Sequence, residues 1–410
     1  MHNNSPITSP LTQNQLKSEI WPKFSKALAG DQLRKEIYLA NHSLGRPPDQ
    51  LEMDIAEGLE YWYQGMDSVW IANGGWSDAL NYFRNQVSHL FHLESDAYIM
   101  PKNNAGQGLR AVLNSFPIGR TLQVVSTTGE FDSADFILKT YEESGRAKIK
   151  WVPPARIDRR VELFDAQMIL DSIDLGTDLL VVSHVFFRTG QILDGIGDLI
   201  LQAKAKGCHV LLDVYHAAGI VPCDLSLLKP DFAVGGCYKY LRGGPGAGFL
   251  VISDEILQDP NFNTLDTGWF AKKDPMAFRR DDLPIRGLGS DAWLDSTPPV
   301  LLSYQAKSGL DLVLELEVNR IREYSLNQQR FLRDQMRKVG LQPYEPENDE
   351  HFGGFSLLPY PSALQIVRKL RQNGVNVDSR NDLIRFSPEL LNYNESLIQA
   401  AEILGRVINS

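Results

Sequence analysis

A lysine beside a glycine-rich stretch is the residue whose surroundings most suggest chemistry. Lys239 lies in residues 235–248, which read Gly-Gly-Cys-Tyr-Lys-Tyr-Leu-Arg-Gly-Gly-Pro-Gly-Ala-Gly. Upstream, Asp213 and His216 follow an apolar run that begins at Val210. Most lysines beside such a loop are simply solvated. Here, however, a carboxylate and an imidazole come at one predicted strand end and an amine at the next, so the three side chains could act together.

This set of side chains suits an aldehyde cofactor that carries a pyridine ring. The Lys239 amine would form a Schiff base with the aldehyde, and the Asp213 carboxylate would pair with the protonated ring nitrogen. A buried negative charge keeps that nitrogen protonated, which makes the ring an electron sink. The sequence therefore predicts a site for pyridoxal 5'-phosphate (PLP). A helix-capping role for Asp213 and a structural role for His216 remain the alternatives.

The phosphate of such a cofactor needs a group of hydrogen-bond donors. Residues 103–108, Asn-Asn-Ala-Gly-Gln-Gly, precede a predicted helix over residues 109–116. Free backbone N–H groups at a helix start bind phosphate, and glycine allows a close approach. Ser183 and Trp269 are candidate side-chain donors to the same group. Tyr238 could contact the phosphate or act as a proton donor, although a structural role is as common for such a residue.

Two further residues could complete the site. Phe131 offers a flat apolar face that could stack on the pyridine ring, although a phenylalanine more often belongs to the core. Arg385 lies within an apolar strand pattern, where an unpaired guanidinium would be costly. It therefore either has an internal carboxylate partner or binds the carboxylate of a substrate with its two-pronged fork.

The elements that must position these residues alternate along the middle of the chain. Short apolar runs are separated by helix-length segments, such as residues 195–206 with their apolar face. Continuous apolar strands between helices indicate a mainly parallel sheet covered on both faces. Ligands gather at the carboxyl ends of such strands, where Ser183, Asp213 and Lys239 are expected. The predicted strands are residues 122–126, 149–152, 179–183, 210–213, 232–235 and 249–252.

The pattern changes after residue 297, and this predicts two domains. A helical pattern runs from about Pro298 to Lys338, and short strand and helix patterns follow it. The chain is thus predicted to be an α/β protein with a large domain and a smaller α+β C-terminal domain. The predicted division is residues 1–48 as an N-terminal segment that packs with the small domain, 49–297 as the large domain and 298–410 as the small domain.

Composition excludes several classes of protein. The 410 residues are 43% hydrophobic and 22% charged, the ordinary balance of a soluble enzyme. A net charge of −10 without a basic stripe argues against a nucleic-acid partner. Three cysteines in apolar or glycine-rich runs argue against disulfides and for a reducing cytoplasm. No run is long enough to span a bilayer, so we expect a cytoplasmic protein with no membrane partner. No metal site is predicted.

Four segments resemble the class V aminotransferase superfamily of fold-type I PLP enzymes and, within it, the kynureninases. Softer matches lie near residues 267–270, 296–299 and 381–388, and all occur in one consistent order from about residue 37 onward. The Asp-x-x-His and Tyr-Lys-Tyr-Leu pair is specific. The four segments are Asn-His-Ser-Leu-Gly at 41–45, Phe-Arg-Thr-Gly-Gln-Ile-Leu-Asp at 187–194, Leu-Asp-Val-Tyr-His-Ala-Ala-Gly at 212–219 and Cys-Tyr-Lys-Tyr-Leu at 237–241.

The resemblance implies roles for the matching positions around the cofactor. Lys239 would be the Schiff-base lysine, and Asp213 would lie on the pyridine nitrogen. His216 would lie beside the ring and Phe131 would stack on it. The remaining implied cofactor contacts, mostly to the phosphate, are Ser183, Tyr238, Trp269, Thr297 and the backbone of Ala105 and Gly106.

The resemblance also implies a substrate site and an assembly. Arg385, with Ser43 in the 41–45 turn, would receive the α-carboxylate of an amino-acid substrate. Trp269 and Thr297 would come from the neighbouring subunit, which implies a homodimer with shared active sites. The implied reaction is hydrolysis of L-kynurenine or a related amino acid to L-alanine and an aryl acid such as anthranilate. Lys239 would act as the base, and Tyr238 would assist proton transfer.

Three departures from the kynureninase pattern bear on the substrate. Ala134 stands where these enzymes have an acidic residue, with Asp135 one place later. Thr297 stands where they have the asparagine that helps to recognise the aryl ketone, and their His-containing loop near the first helices has no clear counterpart among residues 66–76. Transamination, β-elimination or epimerisation of another amino acid therefore remains open, as does a PLP-binding protein without turnover.

Overall fold

The strands of the protein are short, with two to six residues each. The structure is a computed structural model, and it describes residues 9–260 and 262–409. In chain order the strands are β1 (Ile37–Tyr38), β2 (Ile99–Lys102), β3 (Leu122–Thr127), β4 (Ala147–Val152), β5 (Arg156–Asp158), β6 (Val161–Leu163), β7 (Leu179–Ser183), β8 (His209–Asp213), β9 (Phe232–Gly236), β10 (Gly248–Ile252), β11 (Ser356–Pro359), β12 (Val375–Asn376), β13 (Asp378–Arg380) and β14 (Leu383–Phe386).

The α-helices range from single turns to 21 residues in α12. A π-helical segment (Leu16–Ile20) and a 3-10 turn (Trp21–Phe24) connect the first two. In chain order the helices are α1 (Gln13–Gln15), α2 (Ser25–Arg34), α3 (Gln50–Gly65), α4 (Trp76–Leu90), α5 (Ala105–Leu113), α6 (Asp132–Glu143), α7 (Ala166–Asp171), α8 (Ile196–Ala205), α9 (Leu225–Leu228), α10 (Asp254–Gln258), α11 (Leu301–Leu316), α12 (Val318–Lys338), α13 (Ala363–Gln372) and α14 (Asn394–Asn409).

A seven-stranded sheet forms the centre of the molecule. Its strand order is β2-β10-β9-β8-β7-β3-β4, and every pair is parallel except the two that β10 makes with β2 and β9. Alternate residues of one strand enter different cores. Leu179 and Val181 belong to one core, whereas Leu180 and Val182 belong to the other. The sheet is therefore covered on both faces, and the predicted α/β fold with a mainly parallel sheet is confirmed.

The predicted elements of this region differ from the structure mainly at their ends. All six predicted strands are present, and β7 has the predicted bounds. The helix predicted over residues 109–116 is α5, but it begins at Ala105 because the side chain of Asn104 caps it there. The glycines of residues 103–108 were thus mistaken for a loop before the helix, although they form its first turn.

The C-terminal part carries its own smaller sheets. Strands β11, β14 and β13 form an antiparallel sheet, and β1 pairs in parallel with β12. A separate core contains Leu39 and residues from Leu332 to Val407. The single helical pattern predicted to Lys338 is interrupted, since Glu317 has φ 63° and ψ 126° and separates α11 from α12. The proposed division of the chain into domains stays a prediction.

Among the described residues, no helix combines the length and the apolar character that crossing a membrane requires.

Candidate active site

A cavity lies at the carboxyl ends of the central strands, between these ends and the start of α5. Including the open space at its mouth, its empty volume is about 880 Å³. The polar residues predicted from three successive strand ends meet here, as the parallel sheet requires. Eight predicted site residues line the cavity: Ala105, Gly106, Phe131, Ser183, Asp213, His216, Tyr238 and Lys239.

The backbone around Lys239 is fixed by two glycines. Gly45 donates its N–H to the carbonyl of Tyr238 at 2.9 Å. A Cβ added to Gly45 would lie 1.9 Å from the carbonyl oxygen of Lys239, so this contact needs glycine. On α11, a Cβ added to Gly309 would lie 2.2 Å from the carbonyl oxygen of Leu241. The loop after β9 is therefore held between the 41–45 turn and α11, which fixes where the Lys239 side chain begins.

The Lys239 amine is buried and lies against an imidazole. The side chain is 6% exposed, and its Nζ is 2.6 Å from Nε2 of His216. Burial lowers the pKa of Lys239 to about 7, with Asp213 opposing the shift and Arg385 adding to it. Burial and the nearby Lys239 also lower the pKa of His216 well below its usual value. The amine is thus substantially neutral near pH 7 and able to attack an aldehyde.

Asp213 ends β8, opposite Ser183 of β7 in the parallel register. Its Oδ1 accepts a hydrogen bond from the backbone N–H of Tyr215 at 2.8 Å. Burial raises the pKa of Asp213, while this N–H group and Lys239 oppose the shift. Its Oδ2 has no hydrogen-bond partner among the described residues. One carboxylate oxygen therefore remains for a positively charged ligand group.

The first turn of α5 forms an anion site at the other end of the cavity. The side chain of Asn104 accepts a hydrogen bond from the backbone N–H of Gln107 at 2.9 Å. The N–H groups of Ala105 and Gly106 have no acceptor within the helix, because the first N–H groups of any helix lack one. Both residues line the cavity. They therefore present donors where a phosphate could bind.

Aromatic rings form much of the remaining wall. Phe131 and Phe187 meet edge to face with ring centroids 5.2 Å apart, and Tyr215 and Tyr238 do so at 5.6 Å. Nζ of Lys239 lies 4.7 Å from the ring centre of Tyr215 and 5.4 Å from that of Phe131. The cavity thus offers flat apolar faces on either side of the amine.

Glu130 is a cavity residue that the sequence analysis missed. It is 5% exposed, and its two carboxylate oxygens accept hydrogen bonds from Thr127 and Ser183, each at 2.6 Å. The available signal was its position in the short loop after the predicted strand that became β3, directly before Phe131. The Ser183 hydroxyl donates to this carboxylate, so the proposed contact of Ser183 with a phosphate stays a prediction.

Arg385 has an internal carboxylate partner, which was one of the two alternatives for this residue. Its Nε and Nη2 donate to Oδ1 and Oδ2 of Asp378 at 2.7 and 2.5 Å. Nη1 donates to the carbonyl of Phe187, a residue of the cavity wall. Burial opposes ionisation of Asp378, but His42 and Arg385 hold its pKa far below the usual value. Asp378 was not recognised from the sequence.

The turn at residues 41–45 contributes two more contacts to Asp378. Ser43 donates its hydroxyl at 2.6 Å, and Nε2 of His42 lies 2.8 Å away. Ser43 therefore contacts the carboxylate that holds Arg385, and its own contact with a substrate stays a prediction.

Trp269 and Thr297 lie apart from this cavity within the chain. The indole N–H of Trp269 donates to the Thr297 hydroxyl at 3.2 Å, and neither residue lines the cavity. The prediction that they serve a neighbouring subunit remains a prediction.

The residues present fit the aldehyde, the ring nitrogen and the phosphate of PLP. Lys239 suits the aldehyde, the unpartnered Oδ2 of Asp213 suits the ring nitrogen, and the α5 start suits the phosphate. Phe131 suits a ring face. Nδ1 of His216 is buried without a hydrogen-bond partner among the described residues, as expected where a polar group awaits a ligand.

Comparison with known proteins agrees with this chemistry. The family model described as aminotransferase class V matches residues 59–379. The kynureninase of Bacillus anthracis is 26% identical over 394 residues, which cover 91% of this chain and 88% of that protein.

Two solved structures are similar in fold. A C-DES variant with glycine covalently linked to its PLP cofactor superposes with a TM-score of 0.81 at 17% identity, covering 94% of this chain and 98% of that one. The apo cysteine desulfurase of Thermococcus onnurineus NA1 gives 0.78 at 17% identity, covering 92% and 95%.

Proposed function

We propose, since this chain belongs to the class V aminotransferase family, that it is a PLP-dependent hydrolase of the kynureninase type. As a member of this family the chain is a PLP-dependent enzyme. It would cleave the Cβ–Cγ bond of L-kynurenine or a related amino acid to give L-alanine and an aryl acid such as anthranilate. The observation that carries the proposal is the buried Lys239 amine, with its lowered pKa, at 2.6 Å from His216 in a cavity walled by aromatic rings.

Bound PLP would supply an electron-withdrawing ring that stabilises negative charge at the substrate Cα. The chain's own residues would hold the cofactor and move the protons. Asp213 would hold the ring nitrogen through its free oxygen, and the N–H groups of Ala105 and Gly106 would hold the phosphate. Lys239 Nζ would remove the Cα proton, which its lowered pKa allows near pH 7. Water would add to the ketone carbon Cγ, and the Cβ–Cγ bond would then break with departure of the aryl acid. Tyr238, on the cavity wall, would deliver a proton to Cβ.

Arg385 would bind the substrate α-carboxylate although Asp378 already holds it. A guanidinium has five N–H donors. Asp378 accepts one hydrogen bond from Nε and one from Nη2, and the Phe187 carbonyl accepts one from Nη1. One donor remains on each terminal nitrogen, and these two N–H groups would bind the substrate carboxylate. The internal partner thus orients the guanidinium and leaves it a binding edge.

The aromatic wall supports an aryl substrate over a sulfur amino acid. Phe131, Phe187, Tyr215 and Tyr238 offer faces on which an aryl ketone can stack. An enzyme that passes sulfur to its own cysteine needs a reactive thiolate. Here all three cysteines are buried, and burial raises the pKa of each to about 12. The likeness in fold to a cysteine desulfurase therefore does not favour a sulfur-transfer reaction of this type for this chain.

A homodimer with shared sites is part of the proposal. Large apolar side chains are exposed on two neighbouring segments, with Trp62, Met66 and Ile71 on one and Phe278 and Leu288 on the other. The Trp70 and Phe270 rings, 5.1 Å apart, join the two segments. An exposed apolar surface of this kind usually binds another protein surface. A second copy of the chain would cover it and bring Trp269 and Thr297 to the partner's cavity.

The proposed location of the protein is the cytoplasm.

The decisive experiment is product analysis with a panel of amino acids. The purified holoenzyme is incubated with L-kynurenine, 3-hydroxykynurenine, L-cysteine and L-alanine, and products are identified by mass spectrometry and aryl-acid fluorescence. We expect anthranilate and L-alanine in equal amounts from L-kynurenine, and no turnover by Lys239→Ala. Bound PLP without any aryl acid at saturating kynurenine would reject the hydrolase and favour a class V aminotransferase, lyase or epimerase. An aminotransferase would produce keto acids, a lyase would release the eliminated group, and an epimerase would racemise the substrate.

A further inference from the structure

The cavity contains a second buried carboxyl group for which the proposed reaction has no use. Glu130 lines the cavity together with Asp213, and it is the residue just before Phe131. The two carboxyl groups are close enough to interact, because the charge of Asp213 contributes to raising the pKa of Glu130. A buried acid that is unnecessary for folding would ordinarily be replaced by an apolar residue, since burial of charge is costly.

The hydrogen bonds of Glu130 favour its ionised form. Thr127 and Ser183 each donate a hydroxyl to a different carboxylate oxygen, at 2.6 Å. Both donors are themselves buried, and they belong to the neighbouring strands β3 and β7. Burial raises the pKa of Glu130 to about 7, and the two hydroxyl groups limit that rise. The carboxylate is therefore held rigidly and ionises near neutral pH.

The register of the sheet connects this carboxylate to Asp213 through Ser183. Ser183 and Asp213 are Cα partners in the parallel pairing of β7 with β8. The residue that binds Glu130 is thus the cross-strand neighbour of the residue that suits the ring nitrogen. The phosphate donors lie elsewhere, at the start of α5.

We propose that Glu130 is a positioning residue for the cofactor ring: its charge, fixed by Ser183 and Thr127, reinforces Asp213 and helps keep the bound pyridine nitrogen protonated. The positive ring nitrogen in turn favours the ionised form of Glu130. The inference depends on PLP as the cofactor and is independent of the substrate proposed above.

The test compares two cofactors that differ at the ring nitrogen alone. Full-length protein resolved from its cofactor is titrated at pH 8 with PLP and with the analogue in which C–H replaces the ring nitrogen, using calorimetry. We expect Glu130→Gln to weaken binding of PLP about tenfold, which corresponds to about one pKa unit of the ring nitrogen, and to leave the analogue within about twofold. Asp213→Asn serves as the positive control, with a larger loss of the same selectivity.

If Glu130→Gln weakens the binding of both cofactors equally, the proposal is overturned and Glu130 has a structural role. The proposal is also overturned if the variant weakens the binding of neither cofactor. Glu130→Asp keeps the charge on a shorter side chain and is expected to retain the preference for PLP over the analogue. If Glu130→Gln yields no folded protein, Glu130→Ala is titrated in its place under the same criteria. Because no turnover is measured, failure of kynurenine hydrolysis leaves this result interpretable.

Discussion

Gly45 packs against the carbonyl oxygen of Lys239 so closely that a Cβ on Gly45 would lie 1.9 Å from it. The same turn carries His42 and Ser43, which both contact Asp378. One short turn therefore joins the backbone of the reactive lysine to the carboxylate that holds Arg385. The amine and the guanidinium are thereby held in a fixed relation, which a substrate bound at both groups requires.

Replacement of Gly45 by alanine should disrupt this junction. The methyl group would meet backbone atoms, which cannot rotate away as a side chain can, so we expect Gly45→Ala to destabilise the protein by about 3 kcal/mol. The matched control is Gly197→Ala within α8, where a Cβ would meet Leu228 at an ordinary 3.6 Å. That variant should be neutral or gain about 0.5 kcal/mol. Urea denaturation of both variants measures the difference, and similar midpoints would contradict the packing argument.

Local patterns in the sequence predict the strands well, and they also predict several residues that line the cavity. The apolar run 179–183 has the bounds of β7, and Ser183, Asp213 and Lys239 meet in one cavity because parallel strands end at one edge. Both results follow from periodicity and from the geometry of parallel sheets, which neighbouring residues suffice to specify.

Long-range pairings could not be predicted in this way. Asp378 holds Arg385 and also binds His42 and Ser43, which lie more than 300 positions earlier in the chain. Glu389 is likewise a buried partner of Arg242 and Arg46. Nothing in the sequence near these residues indicates which opposite charge they meet, because the folded chain brings the partners together. The break between α11 and α12 at Glu317 could not be predicted either, because the apolar pattern of the sequence continues across it.

Covalent capture of PLP by cofactor-free protein should depend on pH with a midpoint near 7. A neutral amine attacks the aldehyde, and burial lowers the pKa of Lys239 from 10.5 to about 7. The fraction of neutral amine, and hence the capture rate, therefore increases as pH is raised through 7 and reaches a plateau above about 8. Stopped-flow absorbance between pH 5.5 and 9.5 gives the profile.

Borohydride reduction followed by peptide mass analysis identifies the lysine in that experiment. Lys239→Ala should yield no modified peptide at this position. A capture rate that is still increasing above pH 9 would show that the amine has the basicity of an exposed lysine.

Loss of the Asp378 charge should weaken binding of the substrate carboxylate through Arg385. Asp378→Asn removes the two-pronged ion pair, so the guanidinium loses its fixed orientation. We expect KM to increase about 10- to 100-fold, with a smaller change in kcat, since a charged hydrogen bond contributes about 1.5–3 kcal/mol. Inhibition constants for an amino-acid inhibitor and for its decarboxylated amine separate the two effects, because the amine should be insensitive.

The control for this variant is another aspartate of the same hairpin. Asp382 forms a solvent-exposed pair with Arg160, so Asp382→Asn should leave KM within about twofold. If both variants weaken the amino acid and its amine equally, the effect of Asp378 is on folding and the orienting role is wrong.

Subunit mixing tests the shared site. Lys239→Ala and Trp269→Ala homodimers should each have little activity, because one lacks the amine and the other the donor expected from the partner. In a mixed dimer, the Lys239 of one subunit meets the Trp269 of the other, so one site in two is intact. Random reassociation of equal amounts makes half of the dimers mixed, and activity should recover to about a quarter of wild type. Activity that stays at the level of the parent variants after mixing would mean that Trp269 serves its own chain or none.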